Sequence, residues 1–408
     1  MLTDLEGVDL WDGTAHRGPS TLRFAHAGSD AVVASVEPAS ASSGLTAVPG
    51  LIDTHVHLIG ESTGARVDFL TWPLTTRAEE RVLHGLANAR RALAAGVTTL
   101  RDLAADDVQF SLRRALDAGV VQGPRLVAHG VVGMTGGHAD LFTPPAVVDR
   151  PPVADGPDEC RRLVRHWARS GSDGIKIATS GGVLSVGDRP GWRGYTRAEV
   201  AAIVDEAHAL GLRVAAHAHT EAGIELALDE GVDSIEHGTL VTAEQAARIA
   251  AAGITVAPTL LINDRIAAGR GASPEQAAKA VELVAERDQR LRAAVAAGVD
   301  LVLGTDANGF HVGFGEEHLE LVRMAEVLGW SAERALRSAT SRAAAAIGRD
   351  DLGRLVPGAK ADLVLVRGAP WRDLGALALE AIVAVVVRGR VVHGAVPPGL
   401  RDQGTSRS

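Results

Sequence analysis

Along the middle of the chain, short apolar runs alternate with longer stretches whose apolar positions recur every three to four residues. The runs are 48–58 (VPGLIDTHVHL), 98–103 (TTLRDL), 125–130 (RLVAHG), 174–178 (GIKIA), 213–219 (RVAAHAH), 234–238 (SIEHG), 255–260 (TVAPTL) and 300–307 (DLVLGTDA). Amphipathic stretches follow at 77–96, 108–119, 158–171, 197–211, 221–231, 243–253 and 274–298, with further helix to about residue 348. A period near 3.6 marks a helix lying on a core, and a short apolar run with β-branched residues marks a buried strand. Strict strand–helix alternation predicts a parallel sheet. Eight such units predict an α/β fold closed into a (β/α)8 TIM barrel over residues 49–354. A doubly wound sheet is the structural alternative.

The flanks break this pattern. Residues 1–48 lack helical periodicity and are rich in Gly, Ser and β-branched residues. Residues 355–400 read as short strands with turns. Two β-like ends predict a small β-sandwich built from both termini, with 401–408 a disordered tail.

Composition then removes several function classes. The chain has 408 residues, 46% of them hydrophobic, enough for a large core. Its net charge of −9 leaves no basic footprint for nucleic acid. No uncharged apolar run reaches the ~18 residues of a membrane span. The N-terminus, MLTDLEGVDLWDG, lacks a basic and apolar leader, so a cytoplasmic location is expected. The single Cys160 excludes a disulfide framework and a cysteine-rich zinc site, and its helical segment speaks against a catalytic thiol.

Histidine is unusually common, with 15 against 13 aromatic residues. Lysine is scarce: only Lys176, Lys279 and Lys360 occur among 41 basic residues. In a parallel barrel, functional side chains sit at the C-terminal strand ends. His55 and His57 end the first strand and share a face by the period of two. Lys176 lies in the fourth strand, His217 and His219 end the fifth, His237 ends the sixth and Asp306 ends the eighth. Five strands thus deliver metal-competent groups to one rim. Lys176 stands between Ile175 and Ile177, where an unpaired ammonium is costly to bury. Burial favours the neutral amine, which can add carbon dioxide to give an anionic carbamate able to bridge two metal ions. Snorkelling to the barrel mouth or pairing with an Asp is the plainer reading.

PGLIDTHVHL, GIKI followed by SGGVLS, HAHT, SIEHG and GTDA together resemble the amidohydrolase superfamily. They are similar to its binuclear, carboxylated-lysine members of the prolidase, dipeptidase and carboxypeptidase type, to which ochratoxin-degrading amidases are related. LVPGAKADLVLV resembles the family's C-terminal sandwich, so the likeness covers nearly the whole chain. The resemblance implies His55 and His57 at one metal, with Asp306 binding it and serving as acid/base. It implies His217 and His237 at a second metal and Lys176 bridging both as a carbamate formed with CO2. His219 falls to the substrate side, with an exchange between His217 and His219 left open. Imidazole and carboxylate donors suit two divalent ions, Zn2+ first. The implied reaction is hydrolysis of an amide in an Xaa-Pro or Xaa-Arg/Lys dipeptide or an N-acyl amino acid, a small molecule carrying a carboxylate. No G-x-S-x-G elbow competes with it. The family also suggests a homo-oligomer.

Around this centre, Asp53 shares parity with His55 and His57, and Asp102 either orients a ligand or pairs with Arg101. His129, at the end of the third strand, is a candidate to support the ligands. The resemblance places His138, in the loop MTGGHAD, against substrate near the second metal. Gly182, with Gly181, permits close backbone approach in the loop after the fourth strand. Arg189, Arg193 and Tyr195 either receive a substrate carboxylate or are ordinary surface groups. The rival functions are a lactonase or phosphotriesterase on the same centre, a mononuclear deaminase or imidazolonepropionase-like hydrolase that dispenses with the lysine, and a non-catalytic barrel.

Overall fold

The structure is a computed structural model and describes residues 2–148 and 150–397; the expected tail at 401–408 lies outside them. Chain order gives β1 (Asp4–Trp11), β2 (His16–Ala27), β3 (Asp30–Pro38) and β4 (Thr46–Pro49). Next come β5 (Leu51–Val56), β6 (Val97–Ala105), β7 (Arg125–Val131), β8 (Gly174–Ala178), β9 (Arg213–Ala218), β10 (Ser234–His237), β11 (Thr255–Ala257) and β12 (Asp300–Leu301). The last three are β13 (Leu363–Val366), β14 (Ile382–Val387) and β15 (Arg390–Gly394).

Strands β5 to β12 form one sheet in sequence order, and every neighbouring pair is parallel. At least one helix separates each strand from the next. Every residue of β5 and β8 is buried, as expected of parallel strands covered on both faces. The sheet curls until its edges meet. Thr54 N donates to Leu303 O at 2.9 Å, Asp306 N to His55 O at 2.7 Å and His57 N to Ala307 O at 2.8 Å. Asp53 reinforces that seam, accepting from Thr305 Oγ1 at 2.6 Å.

Two local departures follow from this seam. The expected strand at 300–307 keeps regular pairing only over Asp300–Leu301: Val302 N still reaches Val256 O of β11, but Leu303 N turns to Ser338 O, and Thr305 N and Asp306 N turn to β5. Gly304 permits the approach: a Cβ there would lie 2.8 Å from Ala257 Cβ and 3.0 Å from His55 Cβ. The run 255–260 stops as a strand at Ala257, since Thr259 turns left-handed (φ 45°) and starts a short helix, Leu260–Ala267.

The remaining seven strands form a single mixed sheet in the order β15-β14-β13-β4-β1-β2-β3. It wraps a core of its own that includes Leu5, Leu10, Leu22, Val33, Leu363 and Val386. Helix starts on the large sheet are sharply set: Asp106, Thr196, Thr242 and Ser273 each close a reciprocal capping box. Among the described residues no helix is long and apolar enough to cross a membrane.

Arg125 ties the two sheets. Its Nε donates to Asp362 Oδ2 at 2.6 Å, and a terminal nitrogen reaches Asp30 Oδ1 at 2.7 Å. Asp362 is 5% exposed, so removing the guanidinium leaves a desolvated carboxylate without this counter-charge and held by the Arg388 amide at 2.7 Å. Arg125→Ala is expected to cost about 3 kcal/mol, read from denaturant unfolding. A loss under about 1 kcal/mol would mean that solvent replaces the tie.

Candidate metal centre

The strand ends bring two groups of ligand atoms together. His55, His57 and Asp306 form one, and His217, His219 and His237 the other, with ligand atoms in each group within 4.8 Å of one another. His57 Nε2 lies 3.0 Å and His55 Nε2 3.6 Å from Asp306 Oδ1. The groups adjoin, since the His55 and His237 ring centres are 5.2 Å apart. Lys176 acts electrostatically on members of both: on His55 and Asp306, and on His217, His219 and His237. Its Nζ is buried and, among the described residues, has no hydrogen-bond partner.

Each histidine of the second group has one nitrogen engaged and one left over. His217 Nε2 donates to Gly181 O at 3.2 Å, which leaves Nδ1. His219 Nδ1 lies 2.8 Å from Thr239 Oγ1, and His237 Nδ1 2.7 Å from Thr259 Oγ1, which leaves Nε2 on both. Fixing one nitrogen sets the ring orientation and offers the other to a cation. In the first group, Glu236 Oε2 stands 2.9 Å from His55 Nδ1, and its other oxygen accepts from Arg101 at 2.8 Å and Ser234 Oγ at 2.7 Å.

Electrostatics agree with ligation. Burial, with the nearby Lys176, lowers His55 to about 4. Burial and neighbouring histidines lower His219 to about 3 and hold His217 and His237 well below the usual range. All four are neutral near pH 7, the form that binds metals. Asp306 is held down to about 2: burial opposes this, but His55, His57 and Lys176 outweigh it. Burial brings the Lys176 amine down to about 8, with Glu236 and Asp306 pulling the other way. The donor set and the orphaned amine fit a divalent-metal centre.

Residues 46–396 match the model of the Amidohydrolase family. The chain belongs to the amidohydrolase family. It is 30% identical over 384 residues to the Aspergillus niger ochratoxinase, covering 88% of this chain and 77% of that protein. It superposes on a crystal structure described as a Xaa-Pro dipeptidase with bound methionine in the active site, at a TM-score of 0.85 and 31% identity, covering 96% of this chain and all of that one. It is also 28% identical over 380 residues to the imidazolonepropionase of Anaeromyxobacter dehalogenans, covering 87% of this chain and 83% of that protein. This amidohydrolase is therefore a metal-dependent hydrolase acting on carbon–nitrogen bonds.

The amidohydrolase arranges its other expected residues unevenly. His138 stacks on His217 with ring centres 4.4 Å apart. Its Nδ1 meets Asp188 Oδ2 at 2.9 Å and Ser185 Oγ at 2.8 Å, so Nε2 is the free atom. Gly182 works through that ring: a Cβ there would lie 2.1 Å from His138 Cε1. His219, expected on the substrate side, sits within the ligand-competent group. Tyr195 is not available to a substrate carboxylate. It is 2% exposed, and its hydroxyl donates to the Val132 carbonyl. Arg189 and Arg193 are exposed on the loop after β8. Asp102 does not pair with Arg101; it accepts from Leu58 N at 2.9 Å and Ala104 N at 2.8 Å, while Arg101 turns to Glu236. His129 is buried against Gly174.

Two supporting acids escaped sequence reasoning. Asp188 is surrounded by glycine and proline in SGGVLSVGDRPG and reads as a turn former. Glu236 adjoins His237, so strand alternation assigns it to the opposite face. The left-handed backbone at His237 (φ 71°) breaks that alternation, and both side chains approach His55. Glu236→Gln is expected to weaken metal binding about 10- to 100-fold, measured by chelator competition. Unchanged affinity would show that His55 needs no carboxylate behind it.

Proposed function

We propose that this amidohydrolase is a binuclear enzyme on a closed (β/α)8 barrel that hydrolyses the amide bond of a dipeptide or an N-acyl amino acid. The observation that carries the reading is Lys176: a buried amine without a partner, acting on both histidine groups. The names of its relatives, a Xaa-Pro dipeptidase and an ochratoxinase, support the substrate class.

His55, His57 and Asp306 would hold one divalent ion and His217 and His237 the other, with Zn2+ matching these donors. The neutral Lys176 amine would add CO2 at Nζ, forming an N–C bond and releasing one proton, and the resulting carbamate would supply anionic oxygens to the bound ions. The product would be an anion suited to bound cations, whereas the protonated amine would be an uncompensated buried charge. A mononuclear hydrolase of the imidazolonepropionase kind has no use for that amine. Bound ions supply an activated hydroxide and positive charge at the carbonyl oxygen. Asp306, ionised at neutral pH, takes the proton released on attack and returns it to the departing amine. His138 is oriented by Asp188 and presents Nε2 to the substrate.

The test is a screen of Xaa-Pro, Xaa-Arg and Xaa-Lys dipeptides and N-acyl amino acids with zinc and bicarbonate, beside a lactone and a phosphotriester. Turnover confined to the last two would overturn the amide reading. Lys176→Ala is expected to lose most bound metal and activity; two retained ions with full turnover would remove the carbamate. Asp306→Asn should keep the fold and lose roughly a thousandfold in kcat, whereas an unimpaired variant would place the proton transfer elsewhere.

A further inference from the structure

Beside the metal-competent histidines lies a row of aromatic rings that the reaction does not use. Phe69 comes from the loop after β5, Phe142 from the loop after β7 and Phe310 from the loop after β12. All three loops leave the C-terminal end of the large sheet, the end that carries the ligands. Phe69 meets Phe142 edge-to-face with ring centres 5.8 Å apart, and Phe310 at 5.3 Å. Trp72 closes one end, 5.9 Å from Phe310. At the other end Phe142 stands edge-on to His138 at 5.0 Å. One ring thus separates Phe142 from His217.

These rings are not core. The hydrophobic cores draw on Phe24, Phe110 and Phe314, and Phe69, Phe142 and Phe310 belong to none of them. All three are half-buried. The chain has only six Phe and one Tyr, and half of its Phe converge here from three separate loops. Leaving apolar ring surface facing water forfeits the gain of burying it. Edge-to-face rings beside convergent polar groups are the usual lining of a small-molecule site.

We infer that Phe69, Phe142 and Phe310 form a specificity subsite that takes an aromatic or large apolar side chain of the substrate next to the scissile amide. The inference rests on the amide reading of the centre. Such a wall favours a ring over a methyl group by apolar contact, and does so whichever side of the amide carries the ring.

Two matched series test it on the metal-loaded enzyme. N-acetyl-phenylalanine against N-acetyl-alanine probes the amine side, and N-benzoyl-alanine against N-acetyl-alanine the acyl side. In one series the aromatic substrate should be favoured by about tenfold or more in kcat/KM. That ratio should collapse toward one in Phe69→Ala and Phe310→Ala, and fall less in Phe69→Leu, which keeps apolar volume and guards against misfolding. Calorimetric binding of hydrocinnamate against propionate gives a second reading that needs no turnover. Amide hydrolysis with flat ratios in both series and no effect of Phe69→Leu or Phe69→Ala overturns the subsite and leaves the amide reading standing. Preferential hydrocinnamate binding that Phe69→Ala abolishes, without any amide turnover, upholds the subsite and overturns the amide reading. Neither turnover nor preferential binding overturns both.

Discussion

The interior of the curled eight-stranded sheet is organised around an amine that has nowhere to put its charge. Lys176 is flanked by Ile175 and Ile177 in a fully buried strand, and its Nζ meets no acceptor among the described residues. A lone ammonium in that setting is among the costlier groups a fold can carry. Glu236 and Asp306 attract it but do not touch it closely enough to satisfy it, and Arg101 repels it. The polar interior is arranged in consequence. Arg101 is matched to Glu236, Glu236 is set against His55, and Asp306 faces His55 and His57. The series ends with His55 Nε2 and His57 Nε2 at 3.6 and 3.0 Å from Asp306 Oδ1.

Backbone strain is concentrated at the same place. Among the described residues, four non-glycine residues have positive φ, and His237, Thr259 and Asp306 are three of them. Left-handed backbone at such residues costs on the order of 1–3 kcal/mol each, so something must over-determine it. For His237 and Thr259 it is their mutual 2.7 Å contact. Buried Glu320 adds to it by accepting from Leu260 N at 2.7 Å and Leu261 N at 2.8 Å, just past Thr259. For Asp306 it is the seam: its own amide is held by His55 O, and Thr305 is held by Asp53. The strain therefore aims side chains rather than relaxing, and the same bonds that bring the sheet edges together also aim Asp306.

What the chain reveals by inspection divides along physical lines. The eight strand units and the placement of His55, His57, Lys176, His217, His237 and Asp306 on or at the ends of those strands are legible because strand and helix periods are local and topology sets which side chains reach a strand end. The seam is not: the pairing of 303–307 with β5 depends on contacts some 250 positions apart, so the regular strand expected over 300–307 shrinks to two residues. Glu236 was hidden by a single φ angle, since alternation holds only while the backbone stays extended. Tyr195 misled for the opposite reason. As the only tyrosine in a glycine-rich loop it looked like a recognition group, yet its ring is buried and its hydroxyl serves the Val132 carbonyl. Local sequence shows which residues are available; which of them face the centre is decided by backbone turns that only the folded chain displays.

The relatives sharpen where specificity must reside. A dipeptidase, an ochratoxinase and an imidazolonepropionase lie at 28–31% identity to this chain. Proteins of different names can share a family because fold and centre do not decide the substrate. Residues on the strands must satisfy charge, strain and packing together, so they have little freedom to vary. The loops leaving the strand ends carry no such burden, and a ring placed there changes what enters without disturbing the ligands. Phe69, Phe142 and Phe310 occupy that freer layer, one histidine removed from the constrained one. His138 joins the two layers: it stacks on a ligand-competent ring below, leans on Phe142 of its own loop, and is oriented by Asp188 from the loop after β8. A change in any of these loops would therefore reach the centre through the orientation of His138 before it reached the ligands themselves.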